Sequence, residues 1–176
     1  SGPMRDRFMI HEHLEYYTDE ELQQIVSINA RKLGAAMEDK AASELARRSR
    51  GTPRLANSLL HWVRDYATSR GDGTISLVIL DQALRMQQVD ALGLDRQDRR
   101  YLDTLIRVFG GGPAGVEAIA ATMNVSVDTL SEAVEPFLLR CEFIVRTPRG
   151  RRATALAFEH LGHSIDASDP PQGMLF

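Results

Sequence analysis

At 176 residues the chain has room for one ordinary domain or two small ones, on a scale of roughly 150 residues per domain. Hydrophobic residues at 43% and charged residues at 26% supply a core and a solvated surface, which excludes wholesale disorder, and the length excludes a large enzyme. The net charge of -3 argues by itself against nucleic acid, but of 21 basic residues only Lys32 and Lys40 are lysines, so nearly all positive charge sits on guanidinium forks suited to phosphates and carboxylates. No uncharged apolar run approaches the roughly 20 residues a bilayer needs, and SGPMRDRF lacks a signal-peptide pattern. A single cysteine, Cys141, and five scattered histidines give neither a disulfide nor a zinc-ligand spacing, so a soluble intracellular protein without a structural metal is expected.

Thr18-Asp-Glu-Glu21 reads as a capping box, and Leu22, Ile25, Val26 and Ile28 continue at helical spacing, so a first helix is predicted from about Thr18 to Lys32. Gly34 ends it. Glu38-Asp39 puts two carboxylates at the positive end of a second helix, which closes on Arg47, Arg48 and Arg50 before Gly51. Thr52-Pro53 starts a third, with Thr as cap and Pro at the first helical position; its apolar face is Leu55, Leu59, Leu60, Val63 and Ala67. Gly71-Asp-Gly73 closes that helix, and Ser76 opens a fourth with Ile79, Leu80, Ala83 and Leu84 as its stripe. Four short amphipathic helices make a small bundle.

The pattern breaks at Val89–Leu94, where the domain boundary is placed, and Asp95 caps a helix carrying Leu102, Leu105, Ile106 and Phe109. The stretch from Gly110 to Gly115 invites a phosphate-cradle reading, but no Gly-Lys-Ser/Thr ending follows and no strand precedes it, so it reads as a turn between helices. Val116, Ile119 and Ala120 mark a short helix. Ser126 caps the next, Val127 to Arg140, in which Pro136 predicts a kink. Phe143, Ile144 and Val145 then change the period; Thr147-Pro-Arg-Gly150 is turn chemistry and Arg151 to Thr154 returns, giving a β-hairpin. A last helix spans about Ala155 to Leu161. The fold class is therefore mainly α: a helical bundle, then three helices and a hairpin in the order of a winged-helix domain. The proline-containing tail beyond Gly162 is expected to be disordered.

Arg146, Arg149, Arg151 and Arg152 place four guanidiniums within seven positions of an exposed ribbon. Such a cluster repels itself unless an anion is near, and a hairpin tip fits a nucleic-acid groove. The plainer alternative is a solvated turn whose arginines pair with Glu142 and Glu159. Arg54 falls at the second position of the third helix, where a cation is locally unfavourable, so something negative should face it. No Ser/His/Asp or Cys/His set points to nucleophilic catalysis.

In chain order, PMRDRF, EYYTDEEL, ARRSRGTPRLAN, GDGTIS, GLDRQDRRYLDTLI, FGGGPAGVEAIA, and above all EPFLL with RTPRGRRAT, closely resemble the RuvB family of bacterial Holliday-junction branch-migration motors. The resemblance runs from about Pro3 to Gly162, with GTPR and RTPRGR its most specific pieces. It implies residues 1–17 from the end of an AAA+ large domain, an AAA+ lid bundle at 18–89, a winged-helix DNA-binding head at 91–162, and a tail at 163–176. The phosphate-binding loop and Mg²⁺ site belong in the family to the large domain, so this chain alone is expected not to hydrolyse ATP or to hold ATP/ADP with Mg²⁺ tightly.

By resemblance Arg54 is similar to the sensor arginine that contacts nucleotide from the lid, Arg7 and Tyr17 to further nucleotide contacts, and Arg5 to the catalytic arginine offered to a neighbour's γ-phosphate; Arg5 and Arg7 both remain open as that finger. Arg146, Arg149, Arg151 and Arg152 resemble wing residues that touch duplex DNA. The family commonly has a basic residue at the position of Val127, so that contact is not expected here. The resemblance further implies an ATP-dependent DNA helicase or translocase acting in recombination and repair, a hexameric ring of copies of itself, a bacterial cytoplasmic location, and a complex with RuvA and RuvC in which RuvA is bound outside this stretch. A different class, a non-enzymatic winged-helix regulator reading a sequence, calls for a basic third helix, whereas Asp128, Glu132 and Glu135 make this one acidic.

Overall fold

The computed structural model describes residues 15–163, which fall into two compact units dividing between Arg85 and Met86. Arg5, Arg7 and the tail beyond His163 lie outside the described residues.

The first unit is four helices, α1 (Asp19–Lys32), α2 (Asp39–Arg47), α3 (Pro53–Arg70) and α4 (Leu77–Met86). The capping box forms as the sequence predicts, with the Thr18 N–H donating to Glu21 Oε2 at 2.9 Å and the Glu21 N–H to Thr18 Oγ1 at 3.2 Å. Leu22, Val26, Leu45, Leu60, Val63, Leu80 and Leu84 meet in a fully buried core. Two local expectations change. Thr52 does not cap α3 but turns its hydroxyl back to the Arg50 carbonyl at 3.2 Å, leaving Pro53 to begin the helix. Glu38 precedes α2 yet its carboxylate accepts the Leu77 N–H at the start of α4, at 3.1 Å. That crossing follows from a parallel bridge of Met37 with Ile75, in which the Ile75 N–H reaches the Ala36 carbonyl at 2.8 Å.

The second unit holds α5 (Arg96–Arg107), α6 (Val116–Met123), α7 (Val127–Thr129), a π-helical turn (Leu130–Val134), α8 (Glu135–Arg140), strands β1 (Ile144–Thr147) and β2 (Gly150–Ala153), and α9 (Ala155–His160). Asp90 explains why this unit begins so early: its side chain accepts the Leu92 and Leu94 N–H groups, and Arg99 donates to the carbonyls of Leu94 and Gln88. Leu94 is thereby fixed in the head core with Leu102, Leu105, Ile119, Leu130 and Leu138.

Pro136 has no N–H, and its ring crowds the carbonyl one turn back, so the α-helical ladder cannot run straight through it. The distortion appears in the turn before the proline, where the helix widens into the π turn. The stretch from Gly110 to Gly115 does more than turn between helices. Ala114 exchanges backbone hydrogen bonds with Arg151, at 3.0 and 2.8 Å, and the Ala153 N–H reaches the Gly111 carbonyl at 2.9 Å. This segment therefore runs beside β2, joined to it by an isolated antiparallel bridge, while β1 and β2 form the two-stranded sheet with Arg146 opposite Arg151.

Candidate nucleic-acid interface

Pleating sorts the wing arginines onto two faces. Ile144, Arg146, Arg151 and Ala153 share the face toward the core, Arg152 stands opposite Val145 on the other, and Arg149 is exposed in the two-residue turn. Two like charges directly opposite each other on a ladder are destabilising unless something negative lies between them. Here it is Glu135, whose side chain is 0% exposed. Its Oε1 accepts from Arg151 Nε at 2.8 Å and from the Tyr101 hydroxyl at 3.0 Å, and its Oε2 accepts from Arg146 Nη2 at 2.7 Å and Arg151 Nη2 at 3.2 Å.

Burial opposes ionisation of Glu135, but the hydrogen bonds from Arg151, Arg146 and Tyr101 outweigh it and hold the carboxyl below the usual carboxylate range. The same bond pushes Arg151 up. Burial, and then the Glu135 charge, push the Tyr101 phenol well up, so it stays a neutral donor.

This arrangement corrects two readings. The wing arginines do not all stand on exposed ribbon: the Arg151 side chain is only 21% exposed, against 51% for Arg146, and the partner of both is Glu135 rather than Glu142 or Glu159. Of the three acids that give the third helix its character, Asp128 and Glu132 are exposed and Glu135 is buried. Sequence reasoning missed Tyr101 and Glu135. A signal existed for Tyr101, which falls in the helical stripe with Leu102 and Leu105, where a buried hydroxyl requires an acceptor. Nothing distinguished Glu135 from its acidic neighbours.

In the first unit Tyr17 and Arg54 come to the same end of the bundle. The Tyr17 N–H donates to the Gly51 carbonyl at 3.1 Å, which ties the start of the described chain to the Gly51-Thr-Pro-Arg54 turn. Tyr17 is 47% exposed and Arg54 is exposed at the second position of α3, an 18-residue helix with no acid in its first turn. Among the described residues no carboxylate pairs with Arg54, so the negative partner its position calls for is not supplied by them. An exposed guanidinium at the positive end of an unneutralised helix suits the phosphates of a nucleotide. The described residues include no group of three His, Cys, Asp or Glu side chains placed to hold a metal ion. No described helix is long and apolar enough to cross a membrane.

Three helices followed by a hairpin, with the segment after the first helix laid along the second strand, define a winged-helix protein carrying a helical bundle on its amino-terminal side. Family models agree: residues 17–90 match the RuvB AAA lid domain and residues 91–162 the RuvB C-terminal winged helix domain. The chain belongs to the RuvB family. It is 58% identical over 161 residues to the Holliday junction branch migration complex subunit RuvB of Rhodopirellula baltica, covering 92% of this chain and 44% of that relative. It is similar, at a TM-score of 0.89 and 42% identity, to a solved structure of the Thermotoga maritima RuvB Holliday junction branch migration motor, covering 94% of this chain and 56% of that one. The chain spans about half the length of the relatives it matches.

Proposed function

We propose that this chain is the lid and DNA-gripping head of an ATP-driven motor that translocates duplex DNA to move Holliday junctions in recombination and repair. The observation that carries the proposal is the arginine-rich wing, held by Glu135 in the head of a RuvB-family chain. Arg146 and Arg149 turn toward solvent at the hairpin, where phosphate oxygens are the anions a duplex presents without regard to sequence. Arg152 joins them from the other face.

In the lid, Arg54 faces the phosphates of bound nucleotide, with Tyr17 beside it and Arg7 as a further contact; Arg5 is offered to the nucleotide of a neighbouring copy. Hydrolysis of ATP supplies the free energy when nucleotide and Mg²⁺ are bound. Arg54 contributes by stabilising phosphate charge and by making the lid's orientation depend on it. The working assembly is a hexameric ring in the bacterial cytoplasm, acting with RuvA and RuvC, and RuvA docks outside this chain. By itself the chain turns over no ATP.

The test is duplex binding by the 176-residue chain to random-sequence DNA, read by fluorescence anisotropy at two salt concentrations. Binding without sequence preference, falling steeply with salt, supports the proposal. No binding, or binding confined to one sequence, overturns it in favour of another role for the winged helix. The exposed acids Asp128 and Glu132 on the helix that a sequence-reading regulator would insert into the major groove speak against that alternative.

A further inference from the structure

We infer that Glu135 is a positioning residue for DNA contact: anchored by Tyr101 and the proline-distorted helix, and with Arg151 as a brace, it sets the Arg146 guanidinium in advance for the phosphate backbone. The inference rests on the proposal that the wing touches duplex DNA, and it assigns a role to an acid that electrostatics alone would count against DNA.

Glu135 is wholly buried, yet three donors from two different parts of the head converge on its two oxygens. Tyr101 comes from α5 in the core, and both arginines come from the facing residues of the wing ladder. The carboxylate is thus held from behind by the core and holds the wing in front. An unrestrained arginine gives up rotamer freedom when it is ordered, which is an entropic cost. With the side chains ordered by Glu135 in the free protein, that cost does not fall on DNA binding.

The two arginines are not equivalent. Arg151 gives Nε and Nη2 to Glu135 and is mostly covered, so it is the inner brace. Arg146 engages the described residues through Nη2 alone and keeps half its side chain in solvent, so the rest of its fork is available to an outside oxygen. Glu135 is the carboxylate hydrogen-bonded to both guanidiniums, and Glu117 acts on Arg151 only through its charge.

A counter-ion and a positioning residue differ in the sign of one measurement. Glu135→Gln removes a negative charge from beside the DNA-facing arginines at nearly constant volume. Were Glu135 only a counter-ion, the variant would bind duplex more tightly, with a steeper salt dependence. As a positioning residue its replacement lowers affinity despite the added positive charge, by roughly threefold to tenfold, and flattens the logarithmic salt slope by about one as the Arg146 contact is lost.

The experiment is anisotropy of the full 176-residue chain with a random duplex at two salt concentrations, alongside thermal melts. Weaker binding and a shallower slope in a folded Glu135→Gln variant support the inference; equal or tighter binding overturns it. Should that variant fail to fold, Tyr101→Phe decides alone. It alters no charge and removes only the hydroxyl that holds the carboxylate, so reduced affinity supports the inference and unaltered affinity overturns it. If the unsubstituted chain binds no duplex, the DNA proposal itself fails, an outcome distinct from either.

Discussion

Gly112 lies directly beneath Arg151: a Cβ added at Gly112 would overlap the Arg151 carbonyl oxygen, and the residue has φ +92°. The segment from Gly110 to Gly115 follows β2 this closely only because glycine places no side chain there. Gly112→Ala should therefore destabilise the head by more than about 2 kcal/mol, combining a strained backbone with a backbone overlap that cannot be relieved by rotating a side chain. A urea titration following the head transition checks this, and a midpoint unchanged from the parent would show that the segment can move away from β2 cheaply.

Arg149 and Arg151 should separate binding from stability. Arg149 is exposed in the turn, so Arg149→Ala should leave the melting free energy within about 0.5 kcal/mol of the parent, while reducing the salt slope of duplex binding by roughly one if it meets a phosphate. Arg151→Ala strips two hydrogen bonds from a fully buried carboxylate and should cost about 2–4 kcal/mol of head stability. Melts and binding isotherms on the same preparations would show the split, and equal stability of the two variants would contradict a bracing role for Glu135 beneath the wing.

Arg54 should behave in the opposite way. A cation in the first turn of α3 with no described acid beside it adds nothing to the fold, so Arg54→Ala should leave lid stability unchanged or raise it by about 0.3–1 kcal/mol. On the proposed function, the same change in a ring ATPase that carries this lid should depress hydrolysis more than nucleotide binding, since charge grows on the phosphates during transfer. Loss of lid stability on this substitution would assign Arg54 to the fold.

The acid limb of stability should carry the signature of Glu135. Its folded pKa lies below the ordinary carboxylate value of 4.5, so the unfolded chain takes up the proton first as pH falls. The stabilisation is thus complete above the unfolded value and is lost as pH drops from there through the depressed folded value. Head stability of the parent should fall across that window, and Glu135→Gln should flatten the fall. Glu44, held low by Arg47 and Arg48 against the opposing effect of burial, gives the lid a similar but separate acid dependence. Stability measured from about pH 7 down to about pH 3 in parent and variant tests the assignment.

Much of this architecture is legible in the sequence because local rules act there without competition. Thr18 and Glu21 have no other partners to satisfy, so their capping box forms as written, and the run from Phe143 through Thr154 can close a hairpin only about its Pro148-Arg149 turn. The misreadings share a cause. Thr52, Glu38, Glu135 and the glycines Gly111 and Gly112 are decided by a partner distant in sequence or by a competing local acceptor: the Arg50 carbonyl, the Leu77 N–H, the wing arginines and the β2 backbone. Periodicity can place an acid on a helix, but it cannot tell whether two guanidiniums will arrive opposite it.

Because β2 is bonded on both edges, to β1 and to the segment around Ala114, the wing is anchored along its length and not only at its base. A free two-stranded ribbon is marginal in water and bends when pulled sideways. Here a sideways pull at the tip meets backbone bonds on both sides of Arg151, together with the Glu135 cluster under them, and these must yield together before the hairpin can swing. A tug on the tip is therefore passed to the body of the head as a rigid lever passes it, with little lost to flexing.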